Sequence, residues 1–399
     1  EGRGGEGMEG EEDGEGGYYL AKLRRFMQEH VYPAEAEWRE HAEGEGKWQV
    51  CPAMERLKRL AREQGLWNLW MTRELRDRAR MVLGDAAGGE QEWADLAGPG
   101  LSHSQYMTLC EQMGRSPLSA ECFNCSAPDT GNMETLARFG TAQQCRQWLL
   151  PLLRGEIRSC FAMTEPAVAS SDARNVRSPI REEQGRLVLS GRKWWITGAM
   201  HPRCEVCLFL GKEQQGRFEG HSVLLVPMRA KGVVVTHPLD VMGFQDPPHG
   251  HAQVEFEDVS VPIDSAVGSR GEGFVVAQAR LGPGRLHHCA RALGIAERSL
   301  GLACRRADAR TVFGGPISKQ GRFQAGLADS RLGLDQARLL VRQAAAALDR
   351  AEAGEGGSGQ GGSGEGAAPN PTSGATVRMA LAQAKAVVPS ACLACVDFA

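Results

Sequence analysis

The sequence predicts an α+β protein in three successive parts: an N-terminal helical domain, a middle antiparallel β-barrel domain, and a C-terminal helical bundle that is incomplete at Ala399. Three observations carry this reading. Apolar residues recur at helical spacing from Tyr18 to residue 152, and again from Gly273. Between them, short Val- and Leu-rich runs alternate with Gly, Pro and charged turns at roughly ten-residue steps, the mark of a sheet. At the first junction stands FAMTEPAVASSDARNV (161–176), a proline-stiffened run of small and hydroxyl residues.

Residues 1–17 hold seven acids and eight glycines, so they cannot bury apolar area and are expected to form a disordered tail. In 18–158, Leu20, Leu23, Met27 and Val31 share one helical face. Further helices are expected at 52–64, 103–115 and 132–152, with 72–100 as an irregular surface insertion. The runs RLVLSGRKWWITG, RCEVCLFLGK, HSVLLVPM, GVVVTHPL and HAQVEFEDVSVP place the β domain at 159–272, as a barrel or sandwich. From Gly273 helices resume, with Pro283 suited to a first turn. Leu286, Leu293 and Leu300 form one stripe; Phe323, Leu327, Leu334 and Val341 form a second. Residues 353–375 read as a flexible linker. A last helix begins near Thr376 and carries no stop signal at Ala399. The chain also opens on Glu1, so it is expected to be a piece truncated at both ends.

With 46 Lys+Arg against 49 Asp+Glu, the near-balance of charge argues against nucleic acid as the main partner. No apolar run is expected to reach the length of a membrane span. Three of the cysteine pairs have CxxC spacing: Cys122/Cys125, Cys204/Cys207 and Cys392/Cys395. Cys204 and Cys207 sit in a strand, where residues three apart face opposite sides, so reduced buried thiols are expected rather than a metal site.

RSCFAMTEPAVASSDARNV, GRKWWITGA, VEFEDVSVP and RTVFGGPI occur in this order, and together they resemble the acyl-CoA dehydrogenase family. FNCSAPDTGNMETLARFG and GPGRLHHCARALGIAERSL narrow the likeness to members 10 and 11, often fused to an upstream kinase-like domain. The resemblance covers roughly 18–399 and implies FAD as cofactor. A flavin ring needs an aromatic wall, donors at its polar edge and small residues near its pyrophosphate. The resemblance implies that Phe161, Met163, Thr164, Ser170, Ser171, Trp195 and Thr197 meet the flavin, Thr164 and Thr197 by hydroxyl or amide and Trp195 as the wall. Taken alone, 164–172 also reads as a turn capped by Ser171 or Asp172. Arg310 and Phe313 match positions that reach a second subunit, Arg310 toward its FAD pyrophosphate. Gln320 matches the following glutamine, one residue earlier than usual. Ser171 and Arg285 are implied to bind the acyl-CoA substrate, in a pocket lined by 122–133 and 283–300. His287 and His288 read as packing residues.

The implied reaction is α,β-dehydrogenation of an acyl-CoA thioester to a trans-2-enoyl-CoA in fatty acid β-oxidation, with electrons passing to an electron-transfer flavoprotein. Its base is a carboxylate. The alternative base position holds Gly284, and Glu165 belongs to the flavin loop, so the base is expected beyond Ala399 and the chain is expected to be inactive or weakly active. The same fold hosts acyl-CoA oxidases and flavin monooxygenases, and a non-catalytic assembly module is a further alternative. A homodimer or homotetramer in mitochondria or peroxisomes is implied.

Overall fold

The computed structural model describes residues 14–214, 219–354 and 374–399. Residues 1–13 of the expected tail and 355–373 of the expected linker lie outside the described residues. The first helix, Glu15–Phe26, starts inside the expected tail and buries Leu20 and Leu23. It runs through a π-helical turn, Met27–Val31, into Tyr32–Glu43. Pro33 lacks the N–H an α-helix would need there, and a wider turn accommodates that loss.

Residues 72–100 correct the expectation of an insertion. They form helices Arg73–Leu83 and Glu90–Ala97, which bury Leu75, Ala79, Leu83, Trp93 and Ala97 in the main core. Before Met81 only Leu75 and Ala79 of the first helix are apolar, so its stripe is too thin to stand out among the arginines.

The middle domain is one sheet of β1 (Arg158–Ala162), β2 (Pro179–Glu183), β3 (Arg186–Thr197), β4 (Cys204–Glu213), β5 (His221–Pro227), β6 (Val233–Pro238), β7 (His251–Pro262) and β8 (Ala266–Val267). Its order is β6-β7-β3-β2-β4-β5-β8, with β1 beside β4. It is not wholly antiparallel, because β1–β4 and β2–β4 pair in parallel. The sheet bends around its own core, which includes Cys207, Phe209, Leu224, Val226, Val254 and Phe256. The alternate residues Val206, Leu208, Leu210, Val223 and Leu225 enter the helical core. Two buried faces explain why β4 and β5 read as unbroken apolar runs.

Cys204 and Cys207 do not face opposite sides; both join the inner core with Cys160. The register slips between Arg158 and Ser159, whose partners are Cys204 and Val206, so Glu205 is bulged and the alternation shifts by one.

The C-terminal part consists of helices Gly273–Ala309, Gly321–Glu352 and Ala375–Phe398. Leu286, Leu293 and Leu300 are buried, as are Leu334 and Val341, whereas Phe323 and Leu327 are half-buried. Pro283 lies well inside its helix and not in the first turn, because the helix already starts at Gly273. Helix Ala375–Phe398 is, among the described residues, long and apolar enough to cross a membrane, which corrects the expectation that no run is. Here it buries Val377, Ala380, Leu381, Ala384 and Val388 against the bundle. Where helix His103–Gly114 crosses Gly273–Ala309, Gly114 and Gly294 meet backbone to backbone, with no room for a Cβ on either.

Candidate active site

The loop after β1 is built around a buried ion pair. Lys193, fully buried, donates from Nζ to Glu165 Oε1 at 2.9 Å, Met163 O at 3.0 Å and Leu210 O at 2.7 Å. Glu165 also accepts from the N–H groups of Arg177 and Ser178 at 2.9 Å each, and from Ser178 Oγ at 2.6 Å. Burial opposes its ionisation, yet Lys193 and these donors hold its pKa below the usual range. Burial pushes Lys193 down to about 8, still charged at pH 7. Glu165 is therefore a fixed structural anion. The Ser170 hydroxyl closes the same loop: it accepts from Glu165 N at 2.8 Å and donates to Glu165 O at 3.2 Å. Asp172 caps the short 3₁₀ turn Ala173–Asn175, as the capping alternative anticipated, while Ser171 is exposed.

A bulge in β3 re-aims its end. Lys193 pairs with Val254 and Ile196 with Ala252, so Trp194 and Trp195 form an extra step. Lys193 and Ile196 both turn inward although they are three residues apart: Ile196 enters the inner core and Lys193 lies over the Phe209 ring. Trp195 takes φ +56°, a conformation uncommon for a bulky residue, and its indole stays 42% exposed. Thr164 bonds this bulge twice: its hydroxyl donates to Trp194 O at 2.5 Å and its carbonyl accepts from Trp194 N at 3.1 Å.

Trp195 and Thr197 open onto a cavity of about 1100 Å³ between the three domains. One wall is Gly114–Gly131 of the helical domain and another is one face of helix Gly273–Ala309, with Arg280, Gly284, His288, Arg291 and Ile295 a turn or so apart. The cavity is cationic. Among the described residues, no carboxylate lies in hydrogen-bond reach of Arg280, Arg285 or Lys385, which line it. Arg280 stacks 4.1 Å from the Phe161 ring centre and donates from Nε to Asn132 Oδ1 at 2.8 Å. Burial lowers its pKa to about 10, so it stays charged. Burial and Arg291 push His288 down to about 3, and His287 is likewise held neutral.

The acids lining this cavity are Glu121 and Asp246. Glu121 is buried among Lys58, Arg158 and His249, with His249 Nε2 at 2.8 Å. Burial opposes its charge, but these cations hold its carboxyl far below the usual range.

Of the residues expected in a site, the cavity gathers Phe161, Trp195, Thr197 and Arg285. From the expected segments 122–133 and 283–300, residues between 126 and 131 and between 284 and 299 line it as well. Met163 packs on the helical core. The hydroxyls of Thr164 and Ser170 bond within the protein, so of the two expected donors at Thr164, hydroxyl or amide, the hydroxyl is engaged with Trp194 O. Arg310, Phe313 and Gln320 lie apart, around the small hairpin Thr311–Val312 and Gly315–Pro316, with Arg310 and Phe313 exposed. Arg280, Asp246 and His251 were missed. Arg280 stands one helical turn before Gly284 of GPGR, and DPPHGH (246–251) is an unusual run before a strand; either could have flagged the site.

The residues fit a flavin ring with a thioester beside it: an exposed indole, a threonine hydroxyl, an aromatic–guanidinium stack and uncompensated cations around one large cavity. Family models agree with this architecture: the acyl-CoA dehydrogenase N-terminal domain matches 93–156, the middle domain 160–259 and the C-terminal domain 271–362. The chain is 47% identical over 330 residues to mouse acyl-CoA dehydrogenase family member 10, covering 82% of this chain but only 29% of that protein. It is 43% identical to probable acyl-CoA dehydrogenase FadE2 of Mycobacterium tuberculosis, over 83% of this chain and 77% of that one. A Mycobacterium abscessus structure assigned to the acyl-CoA dehydrogenases superposes with TM-score 0.81 at 39% identity, over 96% of this chain and 86% of that one. A Bacillus anthracis acyl-CoA dehydrogenase complexed with FAD shares the fold, with TM-score 0.69 at 20% identity over 96% of this chain and 60% of that one. On the match of all three domain models and of relatives covered for most of their length, the chain belongs to the acyl-CoA dehydrogenase family.

Proposed function

We propose that this chain is the dehydrogenase part of an FAD-dependent acyl-CoA dehydrogenase, which converts an acyl-CoA thioester to its trans-2-enoyl-CoA in fatty acid β-oxidation. The observation that carries this is the single cavity where Trp195, Thr197 and Phe161 meet Arg280 and Arg285. FAD, when bound, supplies the acceptor for the hydride leaving Cβ. Trp195 provides a flat wall and Thr197 a polar contact at the ring edge. Arg285 and Arg280 favour the oxygen of a thioester as charge builds on it. Apolar groups such as Phe161 and Leu281 exclude water, which strengthens these contacts.

Of the acids lining the cavity, Glu121 is neutralised by Lys58 and Arg158 and Asp246 faces the His251 ring, while the alternative base position, Gly284, has no side chain. The reading keeps the base where the family resemblance implies it, on a carboxylate beyond Ala399. Electrons pass on to an electron-transfer flavoprotein. The exposed Phe313, Leu302, Leu332, Leu339 and Leu393 support a homodimer or homotetramer, in which Arg310 would reach a second subunit's FAD. A mitochondrial or peroxisomal location is part of the same proposal, to be checked by fractionation.

The test is the visible spectrum of the purified protein after FAD loading and desalting, then addition of acyl-CoAs. A retained flavin band that bleaches with one acyl class supports the proposal. Peroxide formed with oxygen consumption would make it an oxidase instead. A colourless protein at its natural length would favour an assembly module.

A further inference from the structure

His251 has no part in the function argued so far, yet its ring lies on the cavity wall between two other groups that line it. Its Nδ1 is 3.0 Å from Thr197 Oγ1. Its Nε2 is 3.8 Å from Asp246 Oδ2. Trp195 flanks it with ring centres 6.4 Å apart.

The backbone makes this grouping a built feature. Thr197 and His251 are direct partners across β3 and β7, at the strand ends that face the cavity. The turn before β7 is tied to the end of β3 by Gly198 N to Gly250 O at 3.0 Å and Met200 N to His249 O at 3.1 Å. Asp246 is held by Gly250 N donating to its carbonyl at 2.8 Å, and it adopts φ +53°. The neighbouring His249 is engaged elsewhere, with Glu121.

The chemistry follows from the proton count. A neutral imidazole carries one N–H and one lone pair. The carboxylate of Asp246 favours the proton on Nε2, the nitrogen facing it. Nδ1 is then an acceptor, so the Thr197 hydroxyl donates to it. A hydroxyl whose proton is committed in this way offers only lone pairs to the cavity. Left to itself, the same hydroxyl would rotate to donate or accept as its partner required.

We propose that His251, oriented by Asp246, is a positioning residue that locks the Thr197 hydroxyl as a hydrogen-bond acceptor toward the bound cofactor. This rests on the reading that Thr197 meets the flavin edge. The edge nitrogen of an oxidised flavin ring accepts hydrogen bonds, and after two-electron reduction it carries N–H. A locked acceptor therefore favours the reduced form and raises the flavin's midpoint potential.

The experiment uses the protein at its natural length, loaded with FAD, with the midpoint potential read by spectroelectrochemistry and folding checked by circular dichroism. His251→Leu is expected to weaken binding of reduced relative to oxidised FAD by about five- to tenfold, the size of one lost hydrogen bond. For a two-electron couple that is a fall of about 20–30 mV. His251→Asn, whose Oδ1 restores an acceptor near Nδ1, is expected to keep the wild-type potential. Thr197→Val is expected to match His251→Leu, and the double variant to fall no further. Asp246→Asn, which leaves His251 in place, is expected to fall by less; it keeps the inference testable if His251→Leu does not fold. An unchanged potential in His251→Leu or in Asp246→Asn, or an equal fall in His251→Leu and His251→Asn, would overturn the positioning role while leaving FAD binding intact. A wild-type protein that takes up no FAD would overturn this inference and the proposed function together.

Discussion

Replacing Lys193 by Met tests the buried pair that shapes the flavin loop. Lys193 Nζ has no water to turn to and holds three acceptors at 2.7–3.0 Å, two of them carbonyls from different strands and loops. Methionine fills similar volume but leaves Met163 O and Leu210 O without this donor and Glu165 without a countercharge. Removing one partner of a buried pair typically costs about 3–5 kcal/mol. Glu165 keeps three other donors, from Arg177 and Ser178, which places the expected loss at the lower end, about 3 kcal/mol. With m near 3 kcal/mol/M, the urea midpoint falls by about 1 M. The assay is urea unfolding followed by circular dichroism, on Lys193→Met, Glu165→Gln and both together. The double variant buries no lone charge, so its loss is expected to be smaller than the sum of the singles by at least ~1 kcal/mol. A Lys193→Met loss below ~1 kcal/mol, or strict additivity, would refute the argument that the pair organises the loop.

Other expectations concern packing, pH and binding. Gly294→Ala places a methyl against the Glu111 carbonyl and Gly114, forcing two helices apart; a loss of about 1–3 kcal/mol or more is expected in denaturant unfolding, and Gly114→Ala should not add to it fully. His103 joins the helical domain to the end of helix Gly321–Glu352 through Glu352 Oε1 at 3.0 Å, beside Arg138, Glu134 and Asp349. Burial disfavours its charged form, but Glu352 outweighs burial and raises its pKa. The stability from this contact is then full below pH ~6.5 and lost as pH rises through the raised native value, a slope that His103→Gln should flatten in pH-dependent melts. Arg280→Met removes a buried charge whose hydrogen-bond partners, Asn132 and the Pro128 carbonyl, are neutral, so stability is expected to hold or rise while acyl-CoA affinity by titration calorimetry falls; equal affinity would remove Arg280 from the binding site.

What the sequence determined by itself is what local pattern can carry. The 3.6-residue stripes place Leu20, Leu23, Leu286 and Leu293 in the core, and the short Val- and Leu-rich runs between turns mark β3, β4, β5 and β7. The ordered motifs at 161–176 and 192–198 point to Phe161, Trp195 and Thr197 as neighbours before any contact is known. Tertiary structure alone decided the rest. A bulge moves one residue out of register and reverses every face beyond it; this is why Cys204 and Cys207 share a side and why Ile196 turns inward on the same side as Lys193. The fate of a charge depends on partners far along the chain: Lys193 is buried because Glu165, 28 residues away, neutralises it. Arg280 keeps its charge in the cavity because Asn132, 148 residues away, and the Phe161 ring receive it. His251 meets Thr197 only because β7 lies against β3. Periodicity records which face a residue takes within its own element, but the partner across the gap is set by how elements pack, and the chemistry of this cavity lies in those pairings.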